Sequence, residues 1–100
     1  MKAIINRRLY DTDAAKWIGK YDNGLPHSDF DYCREDLYRK KNGEFFLLGD
    51  GGARSRYSKM DGDWHCGGRE IVPLSFEKAE AWASRHLNPD EYMKYFMIEE

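Results

Sequence analysis

The segment that most constrains the fold is residues 37–52, LYRKKNGEFFLLGDGG, because it has the pattern of a β-hairpin. An Asn-Gly dipeptide tolerates the two positive φ angles of a type I′ turn, and this turn matches the twist of the strands on either side. Asn42-Gly43 therefore predicts a hairpin over about residues 36–48. A two-residue turn at that position pairs Leu37 with Leu48 and fixes which side chains share a face of the sheet.

A helix is predicted before the hairpin, over residues 12–22. Apolar residues there follow the spacing of one helical stripe, and Asp22-Asn23-Gly24 with Pro26 marks its end. The stripe places Trp17 in the core. It consists of Ala14, Trp17, Ile18 and Tyr21.

Two more helices are predicted after the hairpin, over residues 76–87 and 89–97. Ser75 is the expected N-cap of the first, and Trp82 lies on its apolar stripe. Asn88, Pro89 and Glu91 form the expected capping box of the second. Its predicted buried stripe consists of Tyr92, Met93 and Phe96.

The remaining segments are predicted to be strands, turns and loops. Pro73 places the strand Arg69–Leu74 at an edge of a sheet or at a strand end. The other assignments are a strand at Ala3–Ile5, a turn at Asn6–Arg8, a loop over 24–34, a turn at Gly49–Gly52 and irregular structure over 53–68. The sequence therefore predicts an α+β fold, with a small antiparallel sheet centred on the hairpin and packed by two or three short helices.

The bulk composition fits a single domain over residues 1–100. The chain is 41% hydrophobic and 15% aromatic, which is too apolar for a disordered chain. Its net charge of −2 excludes a strongly basic nucleic-acid binder and a strongly acidic mimic of duplex DNA. The charge is uneven: residues 34–59 hold seven Lys or Arg against four Asp or Glu, whereas residues 75–100 hold three against six.

Localisation follows from the segments that the sequence lacks. The N-terminal residues MKAIINRRLYD contain no apolar stretch typical of a signal peptide, and no apolar run has the length of a membrane span. We therefore expect a cytoplasmic protein that does not enter a membrane. Cys33 and Cys66 are expected to be reduced in that compartment, and whether they pair stays open.

Most of the motifs that could bind a phosphate or a metal lack a residue that their chemistry requires. Gly49–Gly52 lacks the Lys and Ser/Thr of a phosphate loop, and Asp61–Asp63 lacks the final Glu of a calcium loop, which makes it a polar turn. The cysteines and histidines lack zinc-ligand spacing. His65-Cys66 is the one candidate for nucleophilic catalysis. We predict no metal, no cofactor and no enzymatic activity.

An interaction surface is the favoured functional feature. Trp64 lies in a glycine-bounded loop, where it either contacts a partner or folds back into the small core. Arg, Tyr and Trp dominate the energetics of protein interfaces. A basic hairpin tip and the segment 53–66 are expected to lie near one another. The predicted partner-binding residues are Arg39, Lys40, Lys41, Arg54, Arg56, Tyr57, Trp64 and His65.

Three segments carry a family resemblance: IINRRLYDTDAAKWI, DYCREDLYRKKNGEFFLLGDGG and IVPLSFEKAEAWASRHLNPDEY. Together they resemble a family of small proteins that phages and integrative elements carry in Gram-positive gut bacteria and their relatives. Small mobile-element proteins of this kind include anti-CRISPR proteins, which bind a Cas effector and block DNA loading or cleavage. The resemblance therefore implies a non-enzymatic inhibitor, a monomer or weak dimer, that occludes a host defence complex, most concretely a CRISPR–Cas effector.

Two other functions remain as alternatives. One is a nucleic-acid-binding accessory protein that uses the basic hairpin and the Gly-rich loop, through Arg39, Lys40, Lys41, Arg54 and Arg56. The other is a small enzyme that uses Cys66 with His65.

Overall fold

The computed structural model describes residues 1–96, which form an α+β fold as the sequence predicts. Eight strands and two helices lie within that range. They are β1 (Lys2–Ile5), β2 (Arg8–Asp11), β3 (Lys16–Asp22), β4 (Cys33–Arg39), β5 (Phe45–Gly51), β6 (Lys59–Asp61), β7 (Trp64–Cys66), β8 (Gly68–Leu74), α1 (Phe76–His86) and α2 (Pro89–Tyr95).

The main sheet is antiparallel and has the strand order β3-β4-β5-β8. The helices cover one face, where Leu37 of β4 packs with Trp82 of α1. The β1–β2 hairpin covers part of the other face, where Tyr10 packs against Phe46 and Ile71. Because both faces of the central strands are covered, Leu37 and Phe46 are completely buried.

The predicted hairpin is confirmed as β4 and β5, but its turn and its register are wrong by one residue. Gly43 donates to the Lys40 carbonyl over 2.9 Å, and Lys40 donates to the Glu44 carbonyl over 2.8 Å. Only Gly43 has a positive φ in this loop (92°), so the connection is a three-residue loop instead of a type I′ turn. Leu37 consequently pairs with Leu47, which brings Leu47 to the helix-covered face.

The physical reason for the longer loop is the side chain of Asn42. Its Oδ1 accepts a hydrogen bond from the Glu44 backbone N–H over 3.0 Å, which stabilises a local turn without a positive φ at Asn42. The two-residue turn with two positive φ angles occurs instead between β1 and β2. Asn6 and Arg7 have φ of 52° and 64° there, and Ile5 pairs with Arg8. The predicted strand at 3–5 and its turn are confirmed.

The predicted helix over residues 12–22 is wrong, because residues 16–22 form strand β3. A bulge lies between Trp17 and Gly19, and it turns Ile18 toward the helix-covered core. Trp17 pairs with Tyr38 and is 49% exposed, so its predicted core position is also wrong. A bulged strand spaces its apolar side chains much as one turn of a helix does.

The turn predicted at Gly49–Gly52 is also wrong, because residues 49–51 belong to strand β5. Strand β5 continues through Gly51, and each of its last residues pairs with both β4 and β8. Gly49 is required because the ring of Tyr57 lies where a Cβ atom would stand. These glycines are sites of close packing inside the sheet.

The C-terminal elements agree with the sequence to within a residue or two. β8 is an edge strand that contains Pro73, Ser75 caps α1, and Asn88 forms a capping box with Glu91 at the start of α2. Met93 is exposed, so its predicted burial is wrong. Residue 97, the predicted end of the last helix, lies outside the described residues.

The segment predicted as irregular contains a small hairpin of its own. β6 and β7 pair through Lys59↔Cys66 and Asp61↔Trp64, with a polar turn at Gly62-Asp63 as expected. We call residues 59–66 the β6–β7 arm. No helix in residues 1–96 is long and apolar enough to span a membrane.

Candidate interaction surface

The β6–β7 arm is the most exposed regular element of the described chain. Every residue of both strands is exposed, and Trp64 is 80% exposed. A two-stranded hairpin without a third strand or a packed face is marginally stable in water. The arm therefore presents a large aromatic ring on an element that its own domain leaves uncovered.

The root of the arm is joined by backbone hydrogen bonds to the loop that precedes β4. Gly52 donates to the Tyr32 carbonyl over 2.9 Å, and Arg54 donates to the Phe30 carbonyl over 2.8 Å. Ser55 Oγ donates to the Gly52 carbonyl over 2.8 Å. These bonds hold the segment that leads into β6, so the arm leaves the sheet in a defined direction.

Tyr57 is the buried anchor of this root, although the sequence suggested a partner contact. The side chain is 3% exposed, and its hydroxyl donates to the buried carboxylate of Glu35. The Trp82 indole N–H donates to the other oxygen of the same carboxylate over 3.1 Å. Burial and the hydrogen bond to Glu35 raise the pKa of Tyr57, so the phenol stays protonated and remains a donor. Tyr57 is therefore removed from the predicted contact surface.

Arg54 and Arg56 are exposed beside the arm, but both already have carboxylate partners. Arg54 Nη2 lies 3.0 Å from Asp31 Oδ2, and Arg56 Nη1 lies 3.5 Å from Glu35 Oε2. Each guanidinium also lies 5.5 Å from an aromatic ring, Arg54 from Phe30 and Arg56 from Tyr57. These contacts orient the two arginines and reduce the positive charge that they offer to a ligand.

A shallow cleft of about 730 Å³ lies between the arm and its root. Its apolar walls are Trp64 and Phe30, both of which are exposed. Arg54, Asp63 and His65 supply polar groups at the same cleft. Such a combination of an exposed aromatic pair with a few charged groups is typical of a protein contact site.

The basic hairpin tip lies at the other end of the sheet. Lys41 is exposed, Lys40 Nζ lies 3.7 Å from the centre of the Tyr10 ring, and the Arg39 guanidinium lies 5.6 Å from the Phe45 ring. Strand β5 separates this tip from the arm's root and is about 20 Å long at ~3.3 Å per residue. The predicted proximity of the tip to residues 53–66 is therefore wrong.

The cysteines do not form a disulfide or a dyad with histidine in this structure. Cys33 and Cys66 are both free. His65 and Cys66 are consecutive residues of a strand, so their side chains point to opposite faces of the arm. Burial raises the pKa of the Cys33 thiol. In residues 1–96, no three His, Cys, Asp or Glu side chains are grouped as metal ligands would be.

Sequence reasoning missed three contributors to this surface. Phe30 and Met60 are exposed apolar side chains, and Glu35 is the buried acceptor beneath the arm's root. In the sequence Glu35 stands between Arg34 and Asp36 in a charged run, so nothing there indicates that its carboxylate is buried. Phe30 likewise carried no signal.

Comparison with known proteins gave no relative: the chain matches no protein-family model, no curated protein sequence and no solved structure.

Proposed function

We propose that this protein is a non-enzymatic inhibitor that binds a host defence complex through the β6–β7 arm and occludes its surface. The partner that the sequence resemblance suggests is a CRISPR–Cas effector. The observation that supports the proposal best is the 80% exposed Trp64 on an arm in which every strand residue is exposed.

A partner that covers the exposed Trp64 side chain gains binding free energy. A tryptophan side chain buries on the order of 200 Å² when covered, and tryptophan is among the commonest residues that dominate binding energy. An exposed Trp64 contributes almost nothing to the fold, whereas a partner pocket that covers it gains about 2 kcal/mol or more. The adjoining exposed Phe30 extends the same apolar area.

A protein partner fits this surface better than a nucleic acid. Binding of a phosphate backbone needs unpaired cations, but Arg54 and Arg56 both lie within 3.5 Å of a carboxylate. Asp61 and Asp63 in the arm add negative charge next to Trp64. A phosphate chain laid along the arm would meet these carboxylates.

The test is a pull-down with candidate Cas effectors followed by a DNA-cleavage assay. We expect the wild-type protein to bind one effector and block its cleavage, and Trp64→Ala to weaken binding at least about tenfold. Met93→Ala is the matched control, because Met93 is also exposed but lies on α2, away from the arm. Unimpaired cleavage by every effector tested would contradict the inhibitor proposal.

A mobility-shift assay on the same protein samples distinguishes the inhibitor proposal from the nucleic-acid-binding alternative. A mobility shift with single-stranded or duplex DNA that weakens steeply with salt would favour the accessory-protein function, since salt dependence reports neutralised phosphates. We expect no such shift at physiological salt.

A further inference from the structure

The outer edge of strand β6 is open in the part of the chain that the structure describes, because β6 pairs only with β7. The Lys59 carbonyl is directed toward β7, where the Cys66 thiol donates to it over 3.4 Å. Since the N–H and C=O groups of an antiparallel strand alternate in direction, those of Met60 face away from β7. Within residues 1–96 they have no backbone partner outside the β6–β7 ladder. Such an edge is a template for another strand.

The side chains of β6 are an exposed cation, an exposed apolar group and an exposed anion, in the order Lys59, Met60, Asp61. Neither charged residue has an ion-pair partner among residues 1–96. Lys59 and Asp61 lie on one face of the arm, and Met60 lies on the other, because alternate residues of a strand share a face. The other carboxylate of the arm, that of Asp63, lies in the turn beyond the strand. The edge therefore carries one charge of each sign on either side of its central residue.

This order of charges makes β6 complementary to a second copy of itself. When two β6 strands lie antiparallel with Met60 opposite Met60, Lys59 of each copy faces Asp61 of the other. Opposite charges directly across an antiparallel pair stabilise it, and like charges destabilise it. The neighbouring registers that keep each side chain on its face place Lys59 opposite Lys59 or Asp61 opposite Asp61. The charges therefore favour the register that is centred on Met60.

The edge strands of the main sheet carry features that oppose such pairing. β3 has the bulge between Trp17 and Gly19, and β8 contains Pro73, which has no N–H to donate. Bulges and prolines are devices by which natural edge strands avoid intermolecular pairing. The outer edge of β7 has neither device, but a symmetric pairing there centres on His65 and brings no opposite charges together. Of these four edges, β6 is the one suited to a second copy.

We propose that β6 pairs with β6 of a second copy of this chain, so that two β6–β7 arms form one four-stranded antiparallel sheet. Met60 of each copy donates to and accepts from the backbone of the other. The twofold axis is perpendicular to this sheet, so both Trp64 side chains stand on the same face. The dimer thus presents two copies of the exposed tryptophan side by side.

The dimer is weak, because each copy contributes a strand of only three residues. A contact of this size corresponds to a dissociation constant of about 0.1–1 mM, and the chain is monomeric at much lower concentration. Pairing also adds strands to an arm that is marginally stable as an isolated hairpin. The inference does not depend on the inhibitor proposal, since the association involves the free protein alone.

The experiment is sedimentation equilibrium of the full chain at concentrations that span this dissociation constant. We expect the wild-type protein to form dimers. Lys59→Glu and Asp61→Lys should each weaken dimerisation about tenfold or more, because each places like charges opposite one another at two positions. Lys78→Glu is the matched control: it makes the same change of charge at an exposed position of α1 and should associate as wild type does.

Mixing the variants tests the register itself. In a mixture of Lys59→Glu with Asp61→Lys, every charged side chain of one β6 faces an opposite charge on the other, so a heterodimer should form with about the affinity of the wild-type dimer. The chain that carries both substitutions reverses the two charges and should dimerise with itself again. Met60→Pro removes the outward N–H without removing a bond to β7, so it should abolish dimerisation of a chain that circular dichroism shows to be folded.

Three results would overturn the proposal. The first is a wild-type protein that stays monomeric throughout the concentration range. The second is a mixture of Lys59→Glu with Asp61→Lys that associates no better than either variant alone. The third is a wild-type dimer that Met60→Pro leaves intact, because that outcome assigns dimerisation to a surface other than the edge of β6.

Discussion

The hydroxyl of Tyr57 donates a hydrogen bond to the buried carboxylate of Glu35, and this bond ties the root of the β6–β7 arm to the central strand β4. Glu35 is also held by Trp82 of α1, so one carboxylate joins the arm, the sheet and a helix. The root of the arm is thus anchored in the core, whereas the exposed strands that carry Trp64 pair only with each other.

Removal of the Tyr57 hydroxyl should destabilise the fold. Tyr57→Phe keeps the ring but leaves one oxygen of a buried carboxylate without its closest donor, at a cost of about 1–3 kcal/mol. Urea unfolding measures the loss. Tyr92→Phe is the control, because Tyr92 donates to Glu80 over 2.8 Å in a more exposed setting and should cost less than about 1 kcal/mol. Equal losses would contradict the special role of Glu35.

Replacement of Gly49 should also destabilise the fold. A methyl group on Gly49 meets the ring of Tyr57, so Gly49→Ala must displace the anchor of the arm, at a cost of about 1–3 kcal/mol. Thermal unfolding measures this change. Gly62→Ala in the arm's turn has free space around the new methyl group and should show only the smaller cost of its positive φ of 61°, about 1 kcal/mol. A larger loss in Gly62→Ala than in Gly49→Ala would argue against the packing account.

Trp64→Ala should leave stability unchanged within about 0.5 kcal/mol, because the side chain is exposed and contributes little burial. Chemical unfolding of the variant checks this. A large loss of stability would mean that Trp64 supports the fold, which would contradict the proposal that the arm is a partner-contact surface.

Stability should fall when the solution is acidified through the range in which His86 titrates. Its ring packs 4.2 Å from that of Tyr21 and 5.0 Å from that of Trp82, and burial lowers its pKa below the ordinary 6.5. Because the folded state binds the proton less well than the unfolded chain, the stabilisation is present above pH 6.5 and is lost as pH falls through the lowered value.

The measurement for His86 is urea unfolding between neutral and mildly acidic pH. His86→Gln removes the titrating group, so the part of the pH dependence that belongs to His86 should vanish from this variant. An unchanged pH profile in His86→Gln would show that another group is responsible.

The parts of the fold that the sequence predicts well are those with local chemical signals. The caps at Ser75 and Asn88 and the hairpin around Asn42-Gly43 each depend on residues close together in the chain. The failures arise from tertiary context. The bulge in β3 imitates helical spacing, and the extension of β5 through Gly51 depends on a tyrosine that approaches from a distant segment.

The placement of the candidate site residues also depends partly on local signals and partly on tertiary contacts. For Trp64 the sequence leaves two placements open, an exposed contact residue in a glycine-bounded loop or a side chain folded back into the core, and the structure shows it exposed. The burial of Tyr57 was not predictable, since its partner Glu35 lies 22 residues earlier. The separation of Lys41 from Trp64 follows from the direction in which β5 leaves the turn, and only the assembled sheet shows it.

The most direct test of the account is hydrogen–deuterium exchange on the complex of this protein with a Cas effector, the partner proposed above. The β6–β7 arm is exposed and pairs only within itself, so its amides should exchange quickly in the free protein. On binding, residues 59–66 should become protected, and Trp64→Ala should reduce both the protection and the inhibition at a fixed effector concentration. Inhibition by wild-type protein with unchanged exchange across residues 59–66 would contradict the central claim that the arm is the contact surface.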